Sequence, residues 1–159
     1  MQSIRELYKI GFGPSSSHTI GPVIAADIFK RRNPDTRHFR VRLYGSLSAT
    51  GRGHGTDLAL QKALLPNDVD IQWVGEELPL HPNGMEFEAM DDQGNMVDEW
   101  RVYSIGGGDL MDEHGVLNDR NIYPHSKFSD IMKWSGEEGR GLWEYVEEAE
   151  GNGIWDYLR

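Results

Sequence analysis

Residues 85–105 read MEFEAMDDQGNMVDEWRVYSI, and this stretch decides the fold class. Apolar and polar side chains alternate on both sides of a central Asp-Asp-Gln-Gly-Asn segment, residues 91–95. Strict alternation places successive side chains on opposite faces of a β-strand, and a segment with glycine and asparagine between two such runs is typical of a hairpin turn. The stretch therefore predicts two antiparallel strands joined by a short turn.

The residues at the N-terminal side of the hairpin predict a helix followed by a strand. An isoleucine recurs every four residues over 20–28, which indicates an amphipathic helix. We expect Ser17 or Thr19 to cap this helix and Asn33-Pro34 to end it. Residues 38–46 (HFRVRLYGS) then alternate as a half-buried strand.

The segment between that strand and the hairpin predicts another helix and another strand. Residues 50–57 (TGRGHGTD) are expected to form a glycine-rich loop, and residues 56–65 (TDLALQKALL) a short helix with Thr56 as its cap. Residues 70–75 (DIQWVG) predict a short strand. This order of elements predicts an α+β fold, a mixed α/β sandwich with an antiparallel-rich sheet and helices packed on it.

Two domains are expected, a core over residues 1–110 and a helical extension over residues 111–159. Helical patterns occupy residues 127–135 and 142–158, and the second carries an apolar stripe that includes Trp143 and Tyr145. This stripe either packs on the extension itself or faces a partner.

Composition excludes several classes of function. The chain has 26 acidic against 16 basic residues and a net charge of −10, which argues against a nucleic-acid-binding surface. No run approaches the roughly 20 apolar residues of a membrane span, and no secretory signal opens the chain, so a cytoplasmic protein is expected. Because the chain has no cysteine, it offers no thiolate nucleophile and no thiolate ligands for zinc or an iron–sulfur cluster.

Residues 11–21 (GFGPSSSHTIG) place three consecutive serines and a histidine just before a predicted helix. Backbone N–H groups and hydroxyls at a helix start favour an anion such as a carboxylate or a phosphate. The simpler alternative is that the serines only cap the helix. His18 adds a group that titrates near neutral pH.

A second histidine, His54, lies between two glycines in residues 50–57. Glycine neighbours leave an imidazole accessible, and a nearby helix start favours its neutral form, which a general base requires. His81 and Asn83 form a third candidate cluster, for which turn chemistry is the simpler explanation. The histidines show no metal-binding spacing, so a zinc hydrolase has little support.

Four segments together resemble the β domain of the iron–sulfur L-serine dehydratases, also called L-serine ammonia-lyases. They are LYKIGFGPSSSHTIGP (7–22), LYGSLSATGRGHGTD (43–57), HPNGMEFEAMD (81–91) and YSIGGGD (103–109). The resemblance runs in order from residue 7 to residue 109. Residues 122–132 (IYPHSKFSDIM) resemble more loosely the segment that leads to the catalytic α domain in single-chain members.

The resemblance implies that this chain takes part in converting L-serine to pyruvate and ammonia without pyridoxal phosphate. It implies a fold similar to the allosteric substrate-binding domain of D-3-phosphoglycerate dehydrogenase, and His54 as the catalytic base. A [4Fe–4S] cluster would be held by cysteines of an α domain or subunit, with L-serine and a further copy of the enzyme as other partners. The residues implied on the substrate side are Ser15, Ser16, Ser17, His18, Thr19, Gly53, Thr56 and Asn83.

The absence of cysteine leads to the expectation that this chain alone is inactive. It would be either the β subunit of a two-chain enzyme or a piece of a longer protein. The alternative from another class is a free-standing regulatory module that binds serine or an anion without catalysis.

Overall fold

In the described residues, six β-strands form one sheet in the larger of two compact units, residues 10–118. The computed structural model describes residues 1–7, 9, 11, 13–117 and 121–159, so three residues of the first motif (Tyr8, Ile10 and Phe12) lie outside the described residues. The strands are β1 (His38–Leu43), β2 (Asp68–Trp73), β3 (Gly84–Met90), β4 (Met96–Gly106), β5 (Asp109–Asp112) and β6 (Gly115–Val116). Their order is β2-β1-β3-β4-β5-β6, in which β1 and β2 are parallel and the other neighbours antiparallel. The predicted α+β fold is confirmed.

The predicted hairpin is the β3–β4 pair, with Phe87 opposite Trp100. In its turn, the Asp91 carboxylate accepts hydrogen bonds from the backbone N–H groups of Gln93 (2.9 Å) and Asn95 (2.8 Å). Both aromatic rings of the hairpin lie near Phe29, with ring centroids 5.6 and 6.5 Å from it. The alternation of the sequence thus gives one apolar face that packs on the helices.

Three helices cover this apolar face. They are α1 (Gly21–Arg32), α2 (Gly45–His54) and α3 (Thr56–Leu64). The most buried residues of α1 are Ala25, Ala26 and Phe29. Ile24 is partly buried and packs against the core, whereas Ile28 is exposed, so the isoleucine stripe lies beside the most buried side of this helix. The small alanines allow α1 to approach the sheet closely, which brings Phe29 into the aromatic cluster of the hairpin.

The predictions for helix caps are wrong. No side chain caps α1, because the π-helical turn Ser16–Ile20 runs directly into it. Thr56 is the first residue of α3 rather than its cap, and Gly55 holds the cap position with a φ of 73°. Asn33 does end α1, as predicted.

The prediction of a glycine-rich loop over residues 50–57 is also wrong, because residues 45–54 form α2. Gly51 is buried where α2 meets β2 and α3, and a Cβ atom there would lie 2.9 Å from the ring of Trp73 and 3.0 Å from the Thr56 hydroxyl. Packing therefore supports a helix in a segment whose glycines disfavour one. This helix positions the site described below.

The smaller unit consists of residues 1–9 and 119–159. It contains a 3₁₀ turn (Ile4–Glu6) and three helices, α4 (Phe128–Glu138), α5 (Leu142–Glu150) and α6 (Ile154–Tyr157). Both predicted helical segments are present, but the second is interrupted at Gly151. Tyr145 packs in the small core, whereas Trp143 is 58% exposed.

Glu150 joins the two ends of the chain within the smaller unit. Its carboxylate, which is 2% exposed, accepts hydrogen bonds from the Ser3 hydroxyl (2.6 Å), the Ile4 N–H (2.6 Å) and the Tyr123 hydroxyl (2.8 Å). Burial opposes ionisation, but these hydrogen bonds and the nearby Arg5 hold the pKa of Glu150 below its ordinary value.

The division of the chain differs in detail from the expected one at residue 110. The sheet continues through β5 and β6, and the first nine residues group with the C-terminal helices. Among the described residues, we find no helix with the length and apolar character needed to cross a bilayer.

Candidate functional site

The serine-rich segment forms a single π-helical turn, Ser16–Ile20, at the start of α1. Such turns are rare and occur frequently at functional sites. The segment lies close to β4 at Gly21, where a Cβ atom would be 2.1 Å from the Ser104 Oγ. Ser15, Ser16 and Ser17 are half-buried, while the Thr19 hydroxyl is buried and donates to the Ser15 carbonyl at 2.5 Å. The serines are thus the accessible hydroxyls of this turn.

His18 is buried between its own turn and α2. Its Nδ1 lies 3.0 Å from the Ser17 Oγ and 3.3 Å from the Ser15 Oγ. On the other side of the ring, Nε2 lies 3.0 Å from the Thr50 Oγ1 and 3.3 Å from the Ser46 Oγ. Both nitrogens therefore have hydroxyl partners.

The surroundings of His18 favour its neutral form. Burial lowers the pKa of the imidazole below its ordinary value of 6.5, and the neighbouring His54 lowers it further, while a hydrogen bond with the Ser46 backbone partly opposes both. His18 is 8% exposed. At neutral pH this ring is an uncharged hydrogen-bonding group.

His54 is the last residue of α2, and α3 begins two residues later at Thr56, as the expected helix start requires. Its Nδ1 donates to the Thr50 carbonyl at 2.9 Å, one turn back along the helix. That bond assigns the N–H to Nδ1 and leaves the Nε2 lone pair available in the neutral ring. The ring is half-buried, and its centroid lies 4.7 Å from that of His18.

Sequence reasoning missed two members of this site, Ser46 and Thr50. Ser46, Thr50 and His54 are spaced by four residues and share one face of α2. The spacing is visible in the sequence, but its meaning depends on residues 45–54 being helical. The predicted residues that the structure brings together are Ser15, Ser17, His18 and His54.

The other predicted residues lie apart from this hydrogen-bonded cluster or face away from solvent. Gly53 is exposed on α2, with no atom within 4 Å of a Cβ built there. Thr56 is fully buried, and its hydroxyl has no hydrogen-bond partner among the residues that the structure describes. The Asn83 side-chain amide donates to the Ser104 carbonyl at 3.1 Å, and the Asn83 N–H donates to the His81 Nδ1 at 3.1 Å. His81 and Asn83 therefore have the turn-stabilising contacts of the simpler explanation.

The side chains of this chain do not suit a metal cluster. Within the part of the chain that the structure describes, no three His, Cys, Asp or Glu residues converge on a common point, and the whole chain lacks cysteine. A [4Fe–4S] cluster needs thiolate ligands, so its ligands would have to come from elsewhere. What the cluster of His18 and His54 offers is an accessible basic nitrogen beside a set of hydroxyls.

Comparison with known proteins gives the family. The family model described as serine dehydratase beta chain matches residues 3–72 and 61–115, which include both histidines and the serine-rich turn. Proteins named L-serine dehydratase from Haemophilus influenzae and Streptomyces coelicolor are 34% and 32% identical, over 87% and 88% of this chain and 41% and 42% of their own lengths. L-serine dehydratase 2 of Escherichia coli is 33% identical over 89% of this chain and 41% of its own length.

This chain spans about two fifths of the length of the curated relatives that it matches. The two overlapping segments of the family match together cover the serine-rich turn, α2 and the β3–β4 hairpin. The remaining part of each relative lies outside the region that this chain matches. On these grounds the chain belongs to the serine dehydratase beta chain family.

Proposed function

We propose that this chain is the β part of an iron–sulfur L-serine dehydratase, which converts L-serine to pyruvate and ammonia. The observation that carries the proposal is the His18–His54 pair within the matched region, with ring centroids 4.7 Å apart. One imidazole is buried and bonded at both nitrogens, and the other has an accessible basic nitrogen. The pair suits a reaction that begins with removal of a proton from carbon.

His54 is the proposed general base. Dehydration of serine requires loss of the α-proton and of the β-hydroxyl, and the resulting 2-aminoacrylate yields pyruvate and ammonia on tautomerisation and hydrolysis. The Nδ1–H bond to the Thr50 carbonyl orients the ring so that Nε2 takes the α-proton. The positive charge that forms on His54 lies beside a neutral His18, so the pair avoids two adjacent cations.

The serine-rich turn is the proposed substrate-binding loop. Ser15, Ser16 and Ser17 are half-buried, and the hydroxyls of Ser15 and Ser17 contact His18, the ring beside the proposed base. In this proposal the loop binds the charged end of L-serine, including its carboxylate. Gly53, at the exposed surface of α2 next to His54, leaves room for the substrate.

The iron–sulfur cluster is proposed to belong to the α part. This chain has no thiolate donors, so its own residues do not fit the cluster, and we assign none of them to it. More than half of the length of the relatives lies outside the region that this chain matches, and that length leaves room for a cysteine-containing part. The isolated chain is therefore expected to be inactive, and the assembled enzyme is expected to contain more than one copy of it.

The test is turnover of L-serine by this chain assembled anaerobically with a cysteine-containing α part. His54→Gln in the assembly is expected to lower kcat by a factor on the order of 10² to 10⁴, the contribution of a positioned base. His114→Gln is the matched control, because His114 is an exposed imidazole in the turn between β5 and β6. Turnover by the His54→Gln assembly equal to that of the His114→Gln assembly would refute the assignment.

A regulatory module that binds serine without catalysis is the second candidate. It is favoured by the fact that the hydroxyl–imidazole cluster is complete within this chain. Calorimetric titration of the isolated chain with L-serine separates the two proposals. Saturable binding without an α part, together with no turnover in its presence, would favour the module.

A further inference from the structure

The hydrogen bonds around His18 have a definite direction, which the Thr50 hydroxyl determines. The Thr50 hydroxyl donates to the Ser46 carbonyl at 2.9 Å, and a carbonyl oxygen can only accept. A hydroxyl has one hydrogen, so the Thr50 oxygen can only accept in its hydrogen bond with His18 Nε2, which lies 3.0 Å away. His18 therefore carries its hydrogen on Nε2.

The assignment of Nε2–H determines the role of the other nitrogen. A neutral imidazole has one N–H, so Nδ1 of His18 is an acceptor. Its partners are the hydroxyls of Ser17 at 3.0 Å and Ser15 at 3.3 Å, and those two oxygens lie 3.3 Å from each other. We assign the donor to Nδ1 to Ser17, the nearer of the two hydroxyls. The one hydrogen of Ser17 is then used, so Ser15 is the donor in the Ser15–Ser17 bond and both hydroxyl hydrogens point into the cluster.

Resting on the proposed function, we propose that the Ser15–Ser17 hydroxyl pair binds the α-ammonium group of the amino-acid substrate. Because their hydrogens are engaged inside the cluster, these oxygens present lone pairs to a ligand. Lone pairs attract a cationic donor and repel a carboxylate. The pair thus selects amino acids over hydroxy acids.

The binding loop then has two parts, one for the ammonium group and one for the carboxylate of the substrate. The carboxylate of the substrate then binds to other donors of the loop. The Ser16 hydroxyl is one candidate, because it takes no part in the chain of hydrogen bonds that links Ser15, Ser17, His18 and Thr50. An α-amino acid carries both charges on one carbon, so neighbouring hydroxyls of one turn can meet both. Thr50, on α2, is then a positioning residue that acts on the ligand through His18 and Ser17.

The first test reads the direction of the hydrogen bonds in the full chain alone. The ¹⁵N chemical shifts of the imidazole nitrogens at pH 7.5 are expected to show His18 protonated at Nε2 and unprotonated at Nδ1. Thr50→Val, which replaces the hydroxyl by a methyl group of similar size, removes the acceptor for Nε2–H together with the bond to the Ser46 carbonyl and is expected to mix the two tautomers. Thr50→Ser is expected to preserve the wild-type signature. An Nδ1–H tautomer or a charged ring in the wild type would overturn the proposal.

The second test compares L-serine with glycerate, which has a hydroxyl in place of the ammonium group. In the assembled enzyme, Ser17→Ala is expected to raise KM for L-serine about 10- to 100-fold, the range for one hydrogen bond to a charged group. The inhibition constant of glycerate should stay within about threefold, and Ser17→Thr should restore most of the binding of L-serine. An equal loss for both ligands would overturn the proposal.

The two tests also separate this inference from the proposed function. If the wild-type assembly does not turn over L-serine, the proposed function fails. Calorimetry of the full chain with the same two ligands then replaces KM and the inhibition constant, and equal affinity for L-serine and glycerate would overturn the inference. Ser48→Ala, on α2 but two residues from both Ser46 and Thr50, controls for general effects on the helix.

Discussion

Gly21→Ala is the substitution for which the structure predicts a loss of stability most directly. Gly21 is the first residue of α1 and lies against Ser104, near the C-terminal end of β4. A Cβ atom added there would be 2.1 Å from the Ser104 Oγ and 2.9 Å from the Ser104 Cβ. Ser104 is fully buried, and Asn83 holds its backbone through hydrogen bonds of 3.0 and 3.1 Å.

The magnitude follows from which atoms can move. Rotation of the Ser104 hydroxyl relieves the shorter contact, but the Cβ–Cβ distance of 2.9 Å requires a shift of α1 or β4. Overpacking of this kind costs about 1–3 kcal/mol, and we expect the upper end because both backbones are held. Replacing glycine by alanine in a helix adds at most about 1 kcal/mol to the free energy of unfolding through helix propensity. The net loss in the free energy of unfolding is therefore about 2 kcal/mol.

The assay is urea unfolding of the full chain, followed by far-ultraviolet circular dichroism. With a denaturant slope of about 2 kcal/mol per molar, the midpoint of Gly21→Ala should fall by about 1 M. Gly53→Ala is the matched control, since it adds the same methyl group in open space on α2 and should stabilise by up to about 1 kcal/mol.

A double-mutant cycle with Ser104→Ala isolates the contact. Within the described part of the chain, the buried Ser104 hydroxyl has no hydrogen-bond partner, so its removal alone should be nearly neutral. In the double variant the 2.1 Å contact is gone, but the 2.9 Å contact between the two Cβ atoms remains, so we expect a favourable coupling of only about 0.5 kcal/mol. Wild-type stability for Gly21→Ala, or full recovery of wild-type stability in the double variant, would refute the reasoning.

Three further predictions concern stability in both units. Because burial lowers the pKa of His18, the contribution of this residue to the free energy of unfolding is complete above pH 6.5 and decreases as the pH falls through that value. His18→Gln should flatten this pH dependence in unfolding experiments between pH 5 and pH 8. Glu150→Gln should lower the free energy of unfolding by about 2–3 kcal/mol at pH 7, because an amide nitrogen cannot accept the hydrogen bonds that the carboxylate receives from the N-terminal segment and Tyr123. Calorimetric melting checks this prediction, and an unchanged melting temperature would contradict it. Trp143→Ser should change the free energy of unfolding by less than about 0.5 kcal/mol, whereas Tyr145→Ala, at a buried position, should cost about 3 kcal/mol.

The elements predicted correctly are those in which local pattern and tertiary environment agree. Alternation over residues 38–43 and 85–105 places Phe39, Val41 and Phe87 in the core, as a strand with one buried face requires. The helix over residues 56–64 also follows its pattern. In α1, by contrast, the largest aliphatic side chains do not mark the buried face, because close packing against the sheet selects alanines there.

Helix α2 is the element that sequence reasoning could not find, and it determines the site. Glycine occurs at positions 45, 51 and 53, and each glycine inside a helix costs up to about 1 kcal/mol relative to alanine. The helix forms because Leu47 is buried in the core and Gly51 permits contact with Trp73 and Thr56. The contact between Gly51 and Trp73 joins residues 22 positions apart in the chain, so a short local window does not contain it.

The amino-acid sequence by itself determined the family resemblance, the α+β class, the lack of ligands for an iron–sulfur cluster and the two histidines as candidates. Only the tertiary structure decided that His18 and His54 meet, that Thr50 joins them, and that the serine hydroxyls have a direction. The physical reason is that residue type and periodicity are local properties. The proton arrangement of an imidazole, however, depends on every donor and acceptor around it, and for His18 these come from two segments that are about 30 residues apart in the chain.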